Sequence, residues 1–522
     1  MPDERRIAKN TIFLYVRMIV VMCVSLFTSR EELRILGDVD FGIYNAVGSI
    51  VLSMTFLTSV LSSACNRYFS VEIGRGDRAA LSKIFSLNTT IFLLMAVAAV
   101  LIGETVGVWF TTCKLVYPAE RGVAVQLVLQ LSLLTFVASM MTTPYRALII
   151  AQEEMKVFAY SSLLEVTMKL GMVMGLMYSP IDTLEMYACG MLAINIGVLL
   201  FYKTYCNRHY EESRYRYTWD VAKIREVMSY TGWNVVGSMA VVGKSQGVAL
   251  LLNTFFGPVV NAASAIAMRV SAVVNQFSFN FMTATSPQIT KSYATGDIDG
   301  MVRLIIRSSK YSYFLMLLIA LPISILMPEL LAIWLEEVPD GTTAFATLLL
   351  MNALVDSLSM PTAYAMQATG RVKWYQLSVG GVLLLIVPIG YGVLYATGVS
   401  AEWVYVVSIA TSVVAQAVRV AFVVRDIGMR ASDYIQKVVM RITAVSVLSP
   451  VVPLIVMRET NHESWPVLVE IAVIGAVTAG WTVVVEWVTG MTGEERKGVK
   501  DFVRNKLRGH EGRKTDNRNE DS

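Results

Sequence analysis

The chain has 522 residues, 44 Lys and Arg against 40 Asp and Glu, and a formal net charge of only +4. Hydrophobic residues make up 55% of it, charged residues 16%, and its mean hydropathy is +0.55. A soluble domain averages ~25% charged, so this composition excludes a soluble enzyme or a basic nucleic-acid binder and points to a bilayer. No ten-residue alternating pattern is present, which excludes a membrane barrel.

The apolar stretches run in chain order over 10–29, 41–64, 84–110, 123–143, 157–178, 184–205, 228–255, 259–284, 311–334, 342–366, 374–396, 402–424, 438–457 and 465–488. Each is long enough to cross a ~30 Å hydrocarbon core as helix, which takes ~20 residues. The reading is an all-α polytopic membrane protein with about fourteen transmembrane helices. The first stretch ends at Thr28-Ser29-Arg30 without a small-residue cleavage site, so it is expected to stay as a span.

Positive charge sets the orientation. Arg5, Arg6, Lys9, Arg67, Arg75, Arg78, Lys83, Arg146, Lys156, Lys203, Lys291, Arg303, Arg371, Lys373, Arg419, Arg425 and Lys437 fall on alternate loops or span ends. Loops on the other side carry Glu31, Glu32, Asp38, Asp40, Asp182, Glu329, Glu336, Glu337 and Asp340. Both termini are therefore expected in the cytoplasm, and the protein in a bacterial inner membrane. The loop 206–227 is rich in Tyr, Trp and Arg and reads as an interfacial helix.

Two stretches echo each other about 220 residues apart. Leu36-Gly37 with Phe41-Gly42-Ile43-Tyr44-Asn45-Ala46 resembles Phe256-Gly257-Pro258 with Asn261-Ala262-Ala263, and Gly76-Asp77 resembles Gly296-Asp297. The echo divides the chain into a bundle of six helices over 1–206, a linker over 207–227, a second six-helix bundle over 228–425, two additional spans over 426–489, and a polar tail over 490–522. Duplicated bundles are common in secondary transporters, with the substrate path between them.

Ile7-Ala8-Lys9-Asn10-Thr11, Asn66-Arg67-Tyr68-Phe69, Glu72-Ile73-Gly74-Arg75-Gly76-Asp77, Leu251 to Ala263 and Ser286-Pro287-Gln288-Ile289-Thr290-Lys291-Ser292-Tyr293 complete a pattern. It resembles the Wzx-like oligosaccharide flippases of the multidrug/oligosaccharidyl-lipid/polysaccharide exporter superfamily, from residue 7 to about 450. The resemblance implies two bundles in a V around a central cavity, alternating access, and an undecaprenyl-pyrophosphate-linked sugar as cargo. It implies membrane lipids, and a polysaccharide polymerase and glycosyltransferases, as partners, with no nucleic acid.

The charges inside apolar stretches carry the chemistry. A cation in hydrocarbon costs at least ~2.5–3.5 kcal/mol and faces a polar cavity or a charged partner. Lys244 and Arg269 lie ~22 Å and ~15 Å deep at 1.5 Å per residue. Arg17 lies ~12 Å in, and Arg67 closes the second span. These four are the candidate contacts for a pyrophosphate, which arginine meets with a planar donor fork and lysine with a point charge. Asp356 is the candidate for ion coupling or for balancing Lys244 or Arg269. Glu165 and Lys169 are four residues apart and are expected to pair on one helix face.

No cofactor, metal or catalytic residue is expected. His209, His462 and His510 are scattered, and Cys23, Cys65, Cys113, Cys189 and Cys206 show neither disulfide nor metal spacing. A multidrug/cation antiporter of the same superfamily is the main alternative, but it would take cationic cargo, and the first two spans hold Arg17 and no core acid. A lipid II flippase stays open. A polymerase or ligase would need a sizeable catalytic outer loop, and a scaffold gives no reason for cations at mid-depth.

Overall fold

The computed structural model describes residues 4–113, 115, 117–178, 182–335, 338–460 and 465–497. The tail from 498 onward lies outside the described residues, as do Glu336, Glu337, His462 and His510. Helix follows helix with no strand among the described residues. In chain order they are α1 (Glu4–Arg75), α2 (Arg78–Cys113), α3 (Gly122–Ala151), α4 (Met155–Tyr178), α5 (Thr183–His209) and α6 (Val221–Phe256). There follow α7 (Pro258–Ala294), α8 (Ile298–Ile325), the short α9 (Met327–Trp334) and α10 (Thr342–Thr369). The chain ends with α11 (Val372–Thr397), α12 (Glu402–Ile427), α13 (Ala431–Glu459) and α14 (Val467–Gly490).

Twelve helices among the described residues are long and apolar enough to cross a bilayer, which makes this a multi-pass membrane protein. The stretches 41–64 and 259–284 bring the helical count to about fourteen. The first is the second limb of α1, and the second lies in α7, a 37-residue helix studded with Ser, Thr, Asn and Gln. A helix that polar is stable at membrane depth only where it faces protein or a water-filled cleft.

Positive-φ glycines mark the turns. α1 bends at Gly37, with φ 73° and ψ 169°, and α6 ends at Gly257, with φ 84° and ψ −174°, before Pro258 opens α7. Only glycine adopts this backbone without strain. The same correspondence holds one helix later. Gly76 and Gly296 have φ 72° and 76°. Each precedes an aspartate that caps the next helix: Asp77 accepts from the Ala80 amide at 2.9 Å and Asp297 from the Gly300 amide at 2.8 Å.

The segment 210–220 is not the interfacial helix expected from its aromatics. It holds one short 3-10 turn, Glu211–Ser213, and is otherwise strapped along α2. The Arg216 amide donates to Ser86 Oγ at 3.1 Å, Tyr215 Oη lies 3.2 Å from Thr90 Oγ1, and Lys83 pairs with Asp220 at 2.9 Å. The first of these bonds satisfies a backbone amide that a helix would otherwise satisfy internally, and the other two anchor side chains of the segment to α2.

The first five helices and the α6–α12 group meet mainly at their basic ends. Lys291 at the end of α7 pairs with Glu153, in the turn between α3 and α4, at 2.7 Å, and Gln288 donates to the same carboxylate at 3.2 Å. Gly74 of α1 lies so close to α7 that a Cβ there would sit 3.1 Å from Lys291 Cα and Ala294 Cβ. Along α7, residues 280–282 and 287–290 are buried. Nearer its acidic end, Ala265, Arg269, Ala272, Gln276 and Phe279 are exposed at spacings of three and four, a single helical face. The cleft between the two groups is therefore open toward the acidic side and closed at the basic side.

Candidate substrate cavity

The central cavity measures about 630 Å³ and lies at the closed end of this cleft. Its walls come from the second limb of α1 and from α6, α7, α10, α11 and α12. Among the described residues three charged side chains line it: Lys244 of α6, Asp356 of α10 and Arg419 of α12.

Lys244 is 9% exposed. Its Nζ donates to Ser412 Oγ at 2.6 Å and to Asn352 Oδ1 at 3.2 Å. Asn352 Nδ2 donates in turn to Asp356 Oδ2 at 2.6 Å, and Ser412 Oγ lies 3.2 Å from Asp356 Oδ1. Lysine and aspartate are thus joined through Asn352 and Ser412 and make no direct ion pair. The spacing of Asn352 and Asp356 along α10 puts both on one face, so one helix supplies both the relay amide and the acid.

Arg419 is 8% exposed and donates from Nη1 to Ser359 Oγ at 3.0 Å. The sequence reading placed it among the charges of the basic side, because it lies near the end of its stretch. Residues 402–427 run as one unbroken helix, and the buried side chain of Arg419 faces α10. The clue available beforehand was its position inside an apolar stretch, well before Gly428.

Polar and aromatic groups complete the wall. Asn234 Nδ2 bonds the Tyr230 carbonyl at 2.9 Å, and Gln376 Nε2 donates to Asn234 Oδ1 at 2.8 Å, which ties α11 to α6. Asn275 bonds back to the Ser271 carbonyl at 2.9 Å. Gln276, Phe279, Gln367 and Tyr375 also reach the cavity surface.

The other sequence candidates sit elsewhere. Arg269 is exposed on the open face of α7, one turn from Ala272, and makes no hydrogen bond or ion pair among the described residues. It does not pair with Asp356. Arg17 is half-buried among the first five helices, its guanidinium 4.5 Å over the Phe158 ring. Arg67 lies below the cavity floor, with Nε donating to the Gln367 carbonyl at 2.6 Å and the guanidinium 4.7 and 4.9 Å from the Tyr68 and Tyr230 rings. The expected Glu165–Lys169 pair does not form. Glu165 meets Arg146 at 3.5 Å and Lys169 meets Glu32 at 2.9 Å, because both side chains reach neighbouring helices rather than each other. No cluster of His, Cys, Asp and Glu able to hold a metal occurs among the described residues.

Comparison with solved structures defines the architecture. A multidrug-resistance MATE family transporter of the MOP superfamily in an outward-facing conformation superposes with a TM-score of 0.69 at 12% identity, over 80% of this chain and 96% of that one. A MATE transporter from Vibrio cholerae gives 0.69 at 13% identity, over 81% and 98%. A MOP superfamily transporter from Pyrococcus furiosus, whose binding pocket is described as reversed in polarity, gives 0.67 at 13%, over 80% and 96%. The chain has a MATE-like fold. No family model and no curated protein matches its sequence.

Proposed function

We propose that the protein is an exporter of an anionic, lipid-linked oligosaccharide, working by alternating access in a bacterial inner membrane with an undecaprenyl-pyrophosphate carrier as the membrane-bound part of its cargo. One observation carries this reading. Among the described residues two buried cations, Lys244 and Arg419, share the central cavity with one acid, Asp356, so the cavity keeps a positive excess.

A pyrophosphate cannot cross hydrocarbon unaccompanied, since an unpaired ion there costs several kcal/mol. Arg419 has five N–H donors, and a phosphate oxygen could replace Ser359 as partner without moving the helix. Lys244 is held by a lysine–amide–carboxylate relay that keeps it pointed at the cavity. Arg269, one turn from the cavity-lining Ala272 on the exposed face of α7, extends the cationic path toward the open side. Gln276 and Phe279, both exposed on α7, supply hydrogen-bonding and stacking surface of the kind a sugar requires.

A cation-coupled multidrug antiporter is the second reading, favoured by the shared fold and by Asp356 as a coupling acid. Under that reading the cavity would be expected to carry a negative excess. The Pyrococcus furiosus transporter, with its pocket of reversed polarity, is described as suggesting a different function on the same fold.

The test is translocation of a fluorescent lipid-linked oligosaccharide in proteoliposomes. The purified protein is expected to move it, and Lys244→Gln and Arg419→Gln are each expected to reduce the rate at least about tenfold, the loss of one charge-assisted phosphate contact. Transport of a lipophilic cation dye in place of the oligosaccharide would replace this reading with the antiporter.

A further inference from the structure

A second cavity of about 580 Å³ lies on the basic side of Arg67, between the ends of α1, α6, α11 and α12. It falls in the ~300–1,000 Å³ range of small-molecule sites. Arg67, Arg371, Lys373 and Arg425 line it with Glu226 and Asp426. Arg425 is neutralised by Asp426 at 3.0 Å, and Glu226 is taken by Lys223 at 2.8 Å. Arg67, Arg371 and Lys373 make no ion pair among the described residues, and four cations face two carboxylates across the cavity, which leaves it net positive.

Aromatic rings interleave with them. The Arg67 guanidinium is packed against Tyr68 and Tyr230, and Lys373 Nζ lies 5.2 Å from the Trp233 ring and 5.3 Å from Trp374. Trp374 is 63% exposed in the first turn of an apolar helix, the position of a tryptophan at the membrane–water boundary. The cavity mouth therefore meets the bilayer at head-group level. Its inner wall is built around Arg67: Gly370, with φ 75°, has no side chain, and a Cβ there would strike the guanidinium. Arg67, Gln367 and Ser63 form a thin partition, since Arg67 lines this cavity while Gln367 and Ser63 line the central one. Ser63 Oγ meets Gln367 Oε1 at 3.1 Å.

We propose that this vestibule is a receiving site for the phosphate head group of a lipid in the leaflet on the basic side, with Arg371 and Lys373 at the mouth and Arg67 at the inner wall. The site deepens the exporter reading, because it lies one arginine away from the central cavity, but it is tested apart from it. Phosphate oxygens satisfy the unpaired cations, the rings shield the contact from water, and the hydrocarbon tail stays in the bilayer beside Trp374.

The experiment measures binding of farnesyl pyrophosphate, short-chain phosphatidic acid and inorganic pyrophosphate to the full-length protein in neutral detergent. The variants are Arg371→Gln with Lys373→Gln, both exposed positions, and Arg78→Gln, an exposed cation outside the vestibule. Farnesyl pyrophosphate is expected to bind, to lose about tenfold or more in the double variant, and to bind Arg78→Gln as it binds the wild type. Phosphatidic acid binding as tightly, with the same loss, supports the head-group site and assigns it to bulk phospholipid rather than cargo. Inorganic pyrophosphate matching the lipids overturns the lipid assignment. Unchanged affinity in the double variant, or an equal loss in Arg78→Gln, overturns the vestibule altogether. Lipid binding at the vestibule of a wild-type protein that moves no lipid-linked oligosaccharide in proteoliposomes overturns the exporter reading and leaves this site standing, so the two failures are distinguishable.

Discussion

Replacing Lys244 tests both the relay and the cargo. Lys244→Gln removes a buried charge and two hydrogen bonds, of 2.6 Å to Ser412 and 3.2 Å to Asn352. Hydrogen bonds to a charged group contribute ~1.5–3 kcal/mol each, and breaking one partner of a buried charged network costs ~3–5 kcal/mol. Asp356 borders an open cavity where water can reach it, so the lower end applies, about 3 kcal/mol. Asp356→Asn alone should cost a similar amount by leaving Lys244 without its counter-charge. The double variant Lys244→Gln/Asp356→Asn leaves a neutral relay of amides and a hydroxyl. Because lysine and aspartate are joined only through Asn352 and Ser412, the coupling recovered should be modest, about 1 kcal/mol, within the ~0.5–3 range for residues sharing a network. Thermal unfolding in detergent measures the stabilities, and proteoliposome transport measures the function. The double variant should fold better than the sum of its parts and still fail to transport. Wild-type transport in Lys244→Gln, or transport restored in the double variant, refutes the claim that this lysine reads the cargo.

Four other outcomes follow from the same geometry. Arg121 bonds Asp40 at 2.6 Å and also Asp182, so Arg121→Ala should strand the 4%-exposed Asp40 and destabilise the protein by about 3 kcal/mol in thermal unfolding; an unchanged midpoint would remove that pairing from the account. Burial tends to raise the Glu495 carboxyl, but the Lys310 ammonium and the Thr492 amide more than offset this and hold it below the usual carboxylate range. Its stabilising contribution is therefore present above the unfolded carboxylate pKa and lost as pH falls through the folded one, so acid unfolding should be shallower in Glu495→Gln than in the wild type. Glu153→Gln breaks the 2.7 Å pair with Lys291 that helps close the basic side, so in that background Gln276→Cys should label less from the acidic side with an impermeant thiol reagent; equal labelling would show that the pair does not hold the closed end. With the native cysteines removed, Asp340→Cys and Arg214→Cys should label from opposite faces of the membrane, and labelling from one face would overturn the alternating topology.

The helical class and approximate number of spans were legible in the sequence, because backbone groups in lipid must be bonded within the segment, and that leaves long apolar stretches as a direct record. The repeated Gly-Asp and Gly-Pro turns were legible too, since Gly37, Gly257, Gly76 and Gly296 occupy conformations that strongly favour glycine. Lys244 and Asp356 announced themselves as charges in apolar surroundings. What no one-dimensional reading supplied is which helices face each other. Arg419 looked like a boundary charge until α12 turned it onto Ser359 of α10, and Arg67 looked like part of the same site as Lys244 until the Gln367 partition separated them. Lys169 chose Glu32 on a distant turn of chain over Glu165 on its own face, because partners across a helix interface are not written in local spacing. Composition and periodicity determine which residues must be buried and as what secondary structure; only tertiary packing decides which buried charges share a cavity, and a cavity's charge is a property of the set.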